Sequence, residues 1–304
     1  MTTTSSYHQP VLLRESVDAL DIKVNGVYVD VTMGGAGHSK EILRRLGEDG
    51  SLFGFDQDEE AGANAPADSR FTWVRHNYRF MKRFMEYYGK SPVDGILADL
   101  GVSSHQFDQA VRGFSIRFDG PLDMRMNRSA GKTAADIVNR YSEEELKNMF
   151  REYGEIRNAR ELSARLITAR QKAQINTTAE LRALVLPLAE RGNEAQYLAK
   201  IFQALRIEVN DELASIREFL MQSAEILRPG GRLVVIAYHS LEDRLVKNFI
   251  AHGKFEGEAS KDIYGRPEAV PFRSVLRKPM EPDPSEIETN PRARSAKMRV
   301  AEKN

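Results

Sequence analysis

Cysteine is absent from all 304 residues. That excludes a disulfide framework, a thiol nucleophile, iron–sulfur clusters and cysteine-ligated zinc, and it fits the reducing cytoplasm. Long apolar runs are missing too. No window approaches the roughly 18 uncharged apolar residues that a membrane helix needs, and the densest late stretch, Leu233–Tyr238, is only strand-sized. Met1–Gln9 has neither a basic region nor an apolar core, so no secretory signal is expected. Neither sign of charge dominates: 44 Lys+Arg stand against 44 Asp+Glu, which excludes a global electrostatic grip on nucleic acid. The six histidines, at 8, 38, 76, 105, 239 and 252, show no metal-binding spacing, so no catalytic metal is expected.

What is there has the balance of a globular protein, 41% apolar and 29% charged. The length suits one large domain or two modest ones. Local charge is less even than the total. Residues 291–304 carry Arg292, Arg294, Lys297, Arg299 and Lys303 against Glu302 alone, and 112–132 carries Arg112, Arg117, Arg125, Arg128 and Lys132 against Asp119 and Asp123. A basic terminal run reads first as a solvated tail, but two such runs in a neutral chain direct attention to phosphate.

The first hundred residues alternate strand and helix signals. Apolar runs at Gly26–Val31, Leu52–Phe55, Phe71–Val74 and Val93–Leu97 are separated by helical patterns, as at Ser39–Leu46, which implies βαβ units and a parallel sheet. The next strand signal is Arg232–Ala237, after the turn Pro229-Gly230-Gly231. Between them lie an ordered loop, Ile116–Met126, and helices starting at Thr133, Ser142 and Thr177, the last two with a glutamate three residues on that completes a capping box. A helix over about Asp211–Leu227 follows. The expectation is an α/β domain from residues 1–106 and 211–304, interrupted by a helical insertion at 107–210.

Strand one ends in Asp30-Val31-Thr32-Met33-Gly34-Gly35-Ala36-Gly37-His38. A small-residue turn between a parallel strand and a helix lets a ligand approach the backbone. Its glycines do not have the spacing of a dinucleotide fingerprint. Asp56 stands at the end of strand two, where an acid accepts hydrogen bonds from ribose hydroxyls. NAD and S-adenosylmethionine both carry that ribose, so a nicotinamide dehydrogenase stays open, as does a non-enzymatic RNA-assembly factor on a degenerate fold. The strand-four motif Asp99-Leu100-Gly101-Val102-Ser103-Ser104 is the kind of short polar motif that holds an exocyclic amine. Such an amine is a weak nucleophile, and positioning plus hydrogen-bond acceptors are what a site can supply. His239 is either a general base or a structural histidine beside Glu242 and Asp243.

Motifs along nearly the whole chain resemble one family. They are His8-Gln-Pro-Val-Leu-Leu13, the Asp30–Ser39 loop, Asp99–Ser104, Arg112-Gly-Phe-Ser115, Asp119-Gly-Pro-Leu-Asp-Met-Arg125, Phe202–Ile207 with Val209-Asn210, His239-Ser-Leu-Glu-Asp-Arg244 and Asn290-Pro-Arg-Ala-Arg-Ser295. The family is the bacterial 16S rRNA (cytosine-N4)-methyltransferases, RsmH or MraW. The resemblance implies a Rossmann-like S-adenosylmethionine-dependent methyltransferase domain with a helical insert, acting on the N4 amine of cytidine 1402 in the decoding region. The partner it implies is 16S rRNA, with the small ribosomal subunit favoured over naked rRNA because the chain is neutral. No membrane partner is expected, and a homodimer is admitted.

Carried over by position, cofactor contacts fall on Gly34, Ala36, Gly37, His38, Asp56, Tyr78 beside the adenine, Asp99 and Gln106. Asp99 is also the expected catalytic residue. Ala36 stands where glycine is expected, and fits only if its φ is negative. The expected substrate contacts are Arg112, Phe114, Asp119, Asp123, Arg125, Arg292 and Arg294, with Phe118 a further stacking candidate and the 112–126 loop able to close over a displaced base. Carbon-5 methylation of cytosine commonly uses a cysteine, and ribose methylation a base such as lysine. The chain has no cysteine, and no lysine occurs in 99–104 or 237–244, which leaves the amine.

Overall fold

A computed structural model describes residues 10–129, 131–257 and 269–304; the expectations for Met1–Gln9, including His8 and Gln9 of the first motif, lie outside them. The chain divides into two compact units, Met1–Gly101 with Leu213–Asn304, and Val102–Glu212.

The first unit is built on a seven-stranded sheet: β1 (Val27–Asp30), β2 (Ser51–Asp56), β3 (Phe71–Arg75), β4 (Val93–Asp99), β5 (Leu227–Ala237), β6 (Phe272–Ser274) and β7 (Lys297–Lys303), in the order β3-β2-β1-β4-β5-β7-β6. Strands β1 to β5 are parallel, and β7 runs antiparallel to both β5 and β6. Every residue of β4 up to Ala98 is buried, as expected for a strand covered on both faces. The helix Glu212–Ile226 contributes Ile216, Phe219 and Leu220 to the same core as Val29, Phe55 and Ile96. The order turns one way from β1 to β3 and the other from β4 to β5. The crevice beyond the carboxyl ends of β1 and β4 is therefore a topological switch point, where open α/β sheets bind ligands.

Two sequence expectations change here. β5 begins at Leu227 instead of Arg232: Val93 pairs with Leu227 and Gly95 with Arg232, so the Pro229-Gly230-Gly231 turn bulges out within the strand. The basic C-terminal run is no solvated tail. From Lys297 it forms β7, with Met298, Val300 and Ala301 buried, and Arg299 gives both nitrogens of its fork to Asp243 at 2.6 and 3.0 Å. Its alternation of apolar and basic residues is the period of a strand with one buried face.

The second unit is helical, with helices Ala134–Arg140, Glu143–Gly154, Ala159–Arg170, Thr178–Val185 and Glu194–Asn210 around a core that includes Phe150, Leu162, Leu181 and Leu205. Thr133, Ser142 and Thr177 cap their helices as the sequence indicates, each with its box acid at N3.

Met298→Ala checks the reassignment of the C-terminus. Met298 is fully buried, opposite Ile236, so the substitution costs about 2–5 kcal/mol in denaturant unfolding; a solvated tail would change stability by less than about 0.5 kcal/mol.

Candidate functional site

The carboxyl ends of β1, β2 and β4 bring three aspartates to one edge of the sheet. Asp30 is fully buried. Ser39 Oγ donates to it at 2.6 Å and the Thr32 N–H at 3.1 Å, so its carboxyl ties the loop to the first turn of the Gly37–Arg45 helix. Asp56 accepts the Gly34 N–H at 2.9 Å on one oxygen and the Asp58 N–H at 2.8 Å on the other. Each oxygen keeps a second acceptor position for a hydroxyl. Asp99 accepts the Tyr238 hydroxyl at 2.7 Å on Oδ1, and its own N–H donates to Thr32 Oγ1 at 2.6 Å.

The loop between β1 and the helix is shaped by backbone geometry. Gly34 takes φ +47, which suits glycine. Gly37 is needed for a different reason: a Cβ there would stand 2.0 Å from Pro10 Cγ. Ala36 corrects the expectation of a negative φ. It sits at φ 60, ψ 24, fully buried, as the residue preceding the helix. A left-handed alanine costs about 1–2 kcal/mol. Its N–H to Met33 O at 2.6 Å and its packing with Met33 and Ala61 hold it there. Met33 is buried as well.

Electrostatics set this edge apart. Among the described residues, none of the three aspartates has a lysine or arginine partner. Burial pushes Asp30 and Asp56 up to about 6 and Asp99 to about 7. Asp30 adds repulsion to both of the others, and the Tyr238 hydrogen bond partly opposes the rise at Asp99. Tyr238 itself is driven well above the ordinary phenol value by burial and then by Asp99, so it remains a donor. His38 is pushed down to about 4 by burial and is neutral. Its Nε2 lies 3.2 Å from the Val11 carbonyl, which can only accept, so Nδ1 presents its lone pair 4.0 Å from Asp99 Oδ2.

This donor set fits S-adenosylmethionine. Its sulfonium and ammonium charges would be offset by carboxylates that have no lysine or arginine partner among the described residues, and Asp56 has acceptor positions that its ribose hydroxyls would fill. Tyr78 follows β3 and is half-buried, packed edge-on to Phe219 at 5.5 Å. Gln106 belongs to the helical unit, where its side-chain oxygen accepts the Ser103 N–H at 3.2 Å in a capping box.

The structure gives several proposed substrate contacts other work. Arg112 is 1% exposed and donates to the Arg125 and Met126 carbonyls at 3.1 and 3.2 Å; it holds the loop together from within and is not available to phosphate. Phe114 is buried in the helical core with Leu122 and Met124, so it is an anchor and not a stacking platform. Arg125 is engaged by Asp123 through both arms of its fork at 2.8 Å. Burial would raise Asp123, but that pairing outweighs it and holds the carboxyl below the usual range. Asp119 accepts the Ala179 N–H at 3.0 Å, capping the Thr178–Val185 helix. The 112–126 segment is thus hydrogen-bonded into the helical unit at both ends, with Arg117, Phe118 and Asp119 exposed between them. Phe118, Arg292 and Arg294 are exposed.

At the end of β5, His239 Nε2 lies 2.9 Å from Glu242 Oε1 without hydrogen-bond geometry, and the buried Glu242 accepts the Tyr238 N–H at 3.0 Å on its other oxygen. Asp243 faces Arg299. Tyr238 and Thr32 are contributors that sequence reasoning missed. Their partner Asp99 lies 139 and 67 positions away, and no local pattern marks such a pairing.

Asp99 gives a pH signature. Titrating near 7 when folded, against 3.8 for an ordinary carboxyl, it contributes stability that is fully present below about pH 4 and lost as pH rises through about 7. Asp99→Asn removes that titration. In ligand-free protein, the melting temperature of the variant minus that of wild type should climb between pH 5 and pH 8; calorimetry showing a constant difference would refute the raised value.

Comparison with known proteins shows the family. The profile of the MraW methylase family matches residues 5–304. Ribosomal RNA small subunit methyltransferase H of Parabacteroides distasonis is 56% identical over 300 residues, covering 98% of both chains. The protein of the same name from Flavobacterium johnsoniae is 56% identical over 303 residues, covering 100% of both, and that from Bacteroides thetaiotaomicron is 57% identical over 298 residues, covering 98% of both. A solved rRNA methylase from Streptococcus thermophilus aligns over 97% of this chain and 98% of its own with a TM-score of 0.44 and 11% identity; the Rossmann-like fold rests on the sheet order and not on that likeness. With a family match that spans the described sheet, insert and carboxylate edge alike, the chain belongs to the MraW methylase family.

Proposed function

We propose that the protein transfers a methyl group from S-adenosylmethionine to the N4 amine of cytidine 1402 in 16S rRNA, in the cytoplasm and within the small ribosomal subunit. Membership of the MraW methylase family and relatives named ribosomal RNA small subunit methyltransferase H, matched end to end, support the coarse reading, an rRNA small-subunit methyltransferase. Among the described residues no helix is long and apolar enough to cross a membrane. The observation that carries the choice of an amine is the Asp99 carboxyl, held on Oδ1 by Tyr238 and titrating near 7.

S-adenosylmethionine supplies an electrophilic methyl group on a sulfonium. The chain supplies alignment and acceptors. Asp56 holds the ribose, and the Gly34–His38 loop supports the amino-acid end. Tyr78 offers a face to the adenine. Asp99 Oδ2 accepts an amine N–H, which favours the pyramidal nitrogen whose lone pair can attack, and a pKa near the working pH suits it to take the proton lost from the methylated nitrogen. His38, neutral, presents no charge to compete with the sulfonium. Arg292 and Arg294, exposed beside β7, are the retained phosphate candidates of the first unit, and the helical unit is assigned to substrate engagement.

The products decide this. After reaction of 16S rRNA or small subunits with labelled cofactor, nucleoside analysis should place the label in N4-methylcytidine, and Asp99→Ala should lower turnover by about 10²-fold or more, measured alongside cofactor affinity. Label in 5-methylcytidine or a 2′-O-methyl nucleoside, with none in N4-methylcytidine, would end the proposal.

A further inference from the structure

The helical unit carries a basic surface that the motifs do not mark. Its Glu143–Gly154 helix ends where Glu155 turns left-handed at φ 49, its N–H bonding to Phe150 O. Ile156, buried, donates to the same carbonyl at 3.1 Å. The chain thereby reverses tightly into the Ala159–Arg170 helix. Lys147 and Arg151, four residues apart, share one face of the first helix; Arg157 lies in the turn and Arg160 opens the second helix. These four cations, with Glu155 and Ile156, line an open cavity of about 440 Å³.

What sets these arginines apart is that they are gathered at one cavity. Some exposed arginines elsewhere are held by carboxylates, as Arg44 by Glu41, Arg75 by Glu59, Arg140 by Asp136 and Arg217 by Glu256. Lys147 follows suit with Glu144 at 2.6 Å. Arg151, Arg157 and Arg160 are exposed and carry no ion pair or hydrogen bond to a side chain among the described residues. Glu155 sets one carboxylate against three guanidinium groups at the same cavity, so the lining keeps a net positive charge that a further anion would offset. Their planar forks match phosphate oxygens two at a time. The volume exceeds by more than about tenfold the ~30 Å³ share of a single water, and so admits a stretch of backbone.

We propose that this cavity holds consecutive backbone phosphates of the RNA substrate, with Arg151, Arg157 and Arg160 as the contacts. The proposal rests on the rRNA reading and supplies the phosphate contacts that buried Arg112 and Asp123-bound Arg125 do not. Phosphates there position the RNA without reading its sequence.

The test is R151Q/R157Q/R160Q in the full chain, assayed with unmodified 16S rRNA and with small subunits from cells lacking the gene, over a salt series. KM for the RNA substrate should rise at least tenfold, with kcat within about twofold, and calorimetric affinity for S-adenosylmethionine and the melting temperature should stay unchanged. The slope of log affinity for 16S rRNA against log salt should fall by about 2 to 3, close to one for each phosphate contact removed. A KM and slope matching wild type would overturn the proposal. So would a raised KM on assembled subunits with free-rRNA binding intact, which would assign the cavity to an acidic protein surface. If wild type methylates neither substrate, the rRNA reading itself fails, and the salt-dependent binding of 16S rRNA still decides the cavity.

Discussion

Desolvation of carboxylates without a counter-cation is the constraint on which the rest of the catalytic unit depends. Asp30, Asp56 and Asp99 end neighbouring parallel strands, and desolvation raises each of them well above the ordinary carboxylate range. A fold tolerates this only where hydrogen bonds hold the groups in place. They come from Ser39, from the Gly34 and Asp58 amides and from Tyr238. The same bonds shape the loop: Asp56 fixes Gly34, Asp30 fixes the start of the following helix, and Thr32 bridges to the Asp99 backbone. A cationic ligand at this edge relieves the mutual repulsion, so the ligand's charge and the loop's conformation are coupled.

That coupling suits methyl transfer to a weakly nucleophilic amine. Methyl transfer consumes a sulfonium charge, and an aspartate that titrates near neutrality responds to that change. Tyr238 has a double effect on it: its hydrogen bond stabilises the ionised form and occupies one oxygen, which leaves Oδ2 facing His38 Nδ1 at 4.0 Å. The carboxylate edge lies in the sheet unit, and the cluster of Arg151, Arg157 and Arg160, with no ion pair among the described residues, lies in the helical unit. A nearly neutral protein can in this way present opposite local charges to a cationic cofactor and a polyanionic substrate.

The parallel sheet, the acid at the end of each cofactor strand and the three capped helices of the insert are legible because each rests on local pattern: apolar runs, Gly-containing turns, and Thr or Ser with an acid three residues on. What escaped was set by long-range pairing. The basic residues of 297–303 look solvated until Arg299 meets Asp243 and Met298 meets Ile236. Arg112 looks like a phosphate ligand until the loop folds back and its fork meets the Arg125 and Met126 carbonyls. Ala36 adopts a glycine-like backbone because neighbours in the fold over-determine it, and sequence carries no signal for that. The cluster at Arg151, Arg157 and Arg160 stayed hidden because its residues sit in an ordinary charged helix pattern, and only the reversal at Glu155 gathers them.

The claim that this edge is a cation site whose charge is set by Asp99 is tested most directly by calorimetric affinities for S-adenosylmethionine and for its uncharged-sulfur product between pH 5.5 and pH 8.5. The two ligands differ by the methyl group and the sulfonium charge. As Asp99 ionises through about pH 7, preference for S-adenosylmethionine should rise by roughly tenfold, about 1.4 kcal/mol, and the rise should vanish in Asp99→Asn. A preference that stays flat across this range in wild type would contradict the assignment.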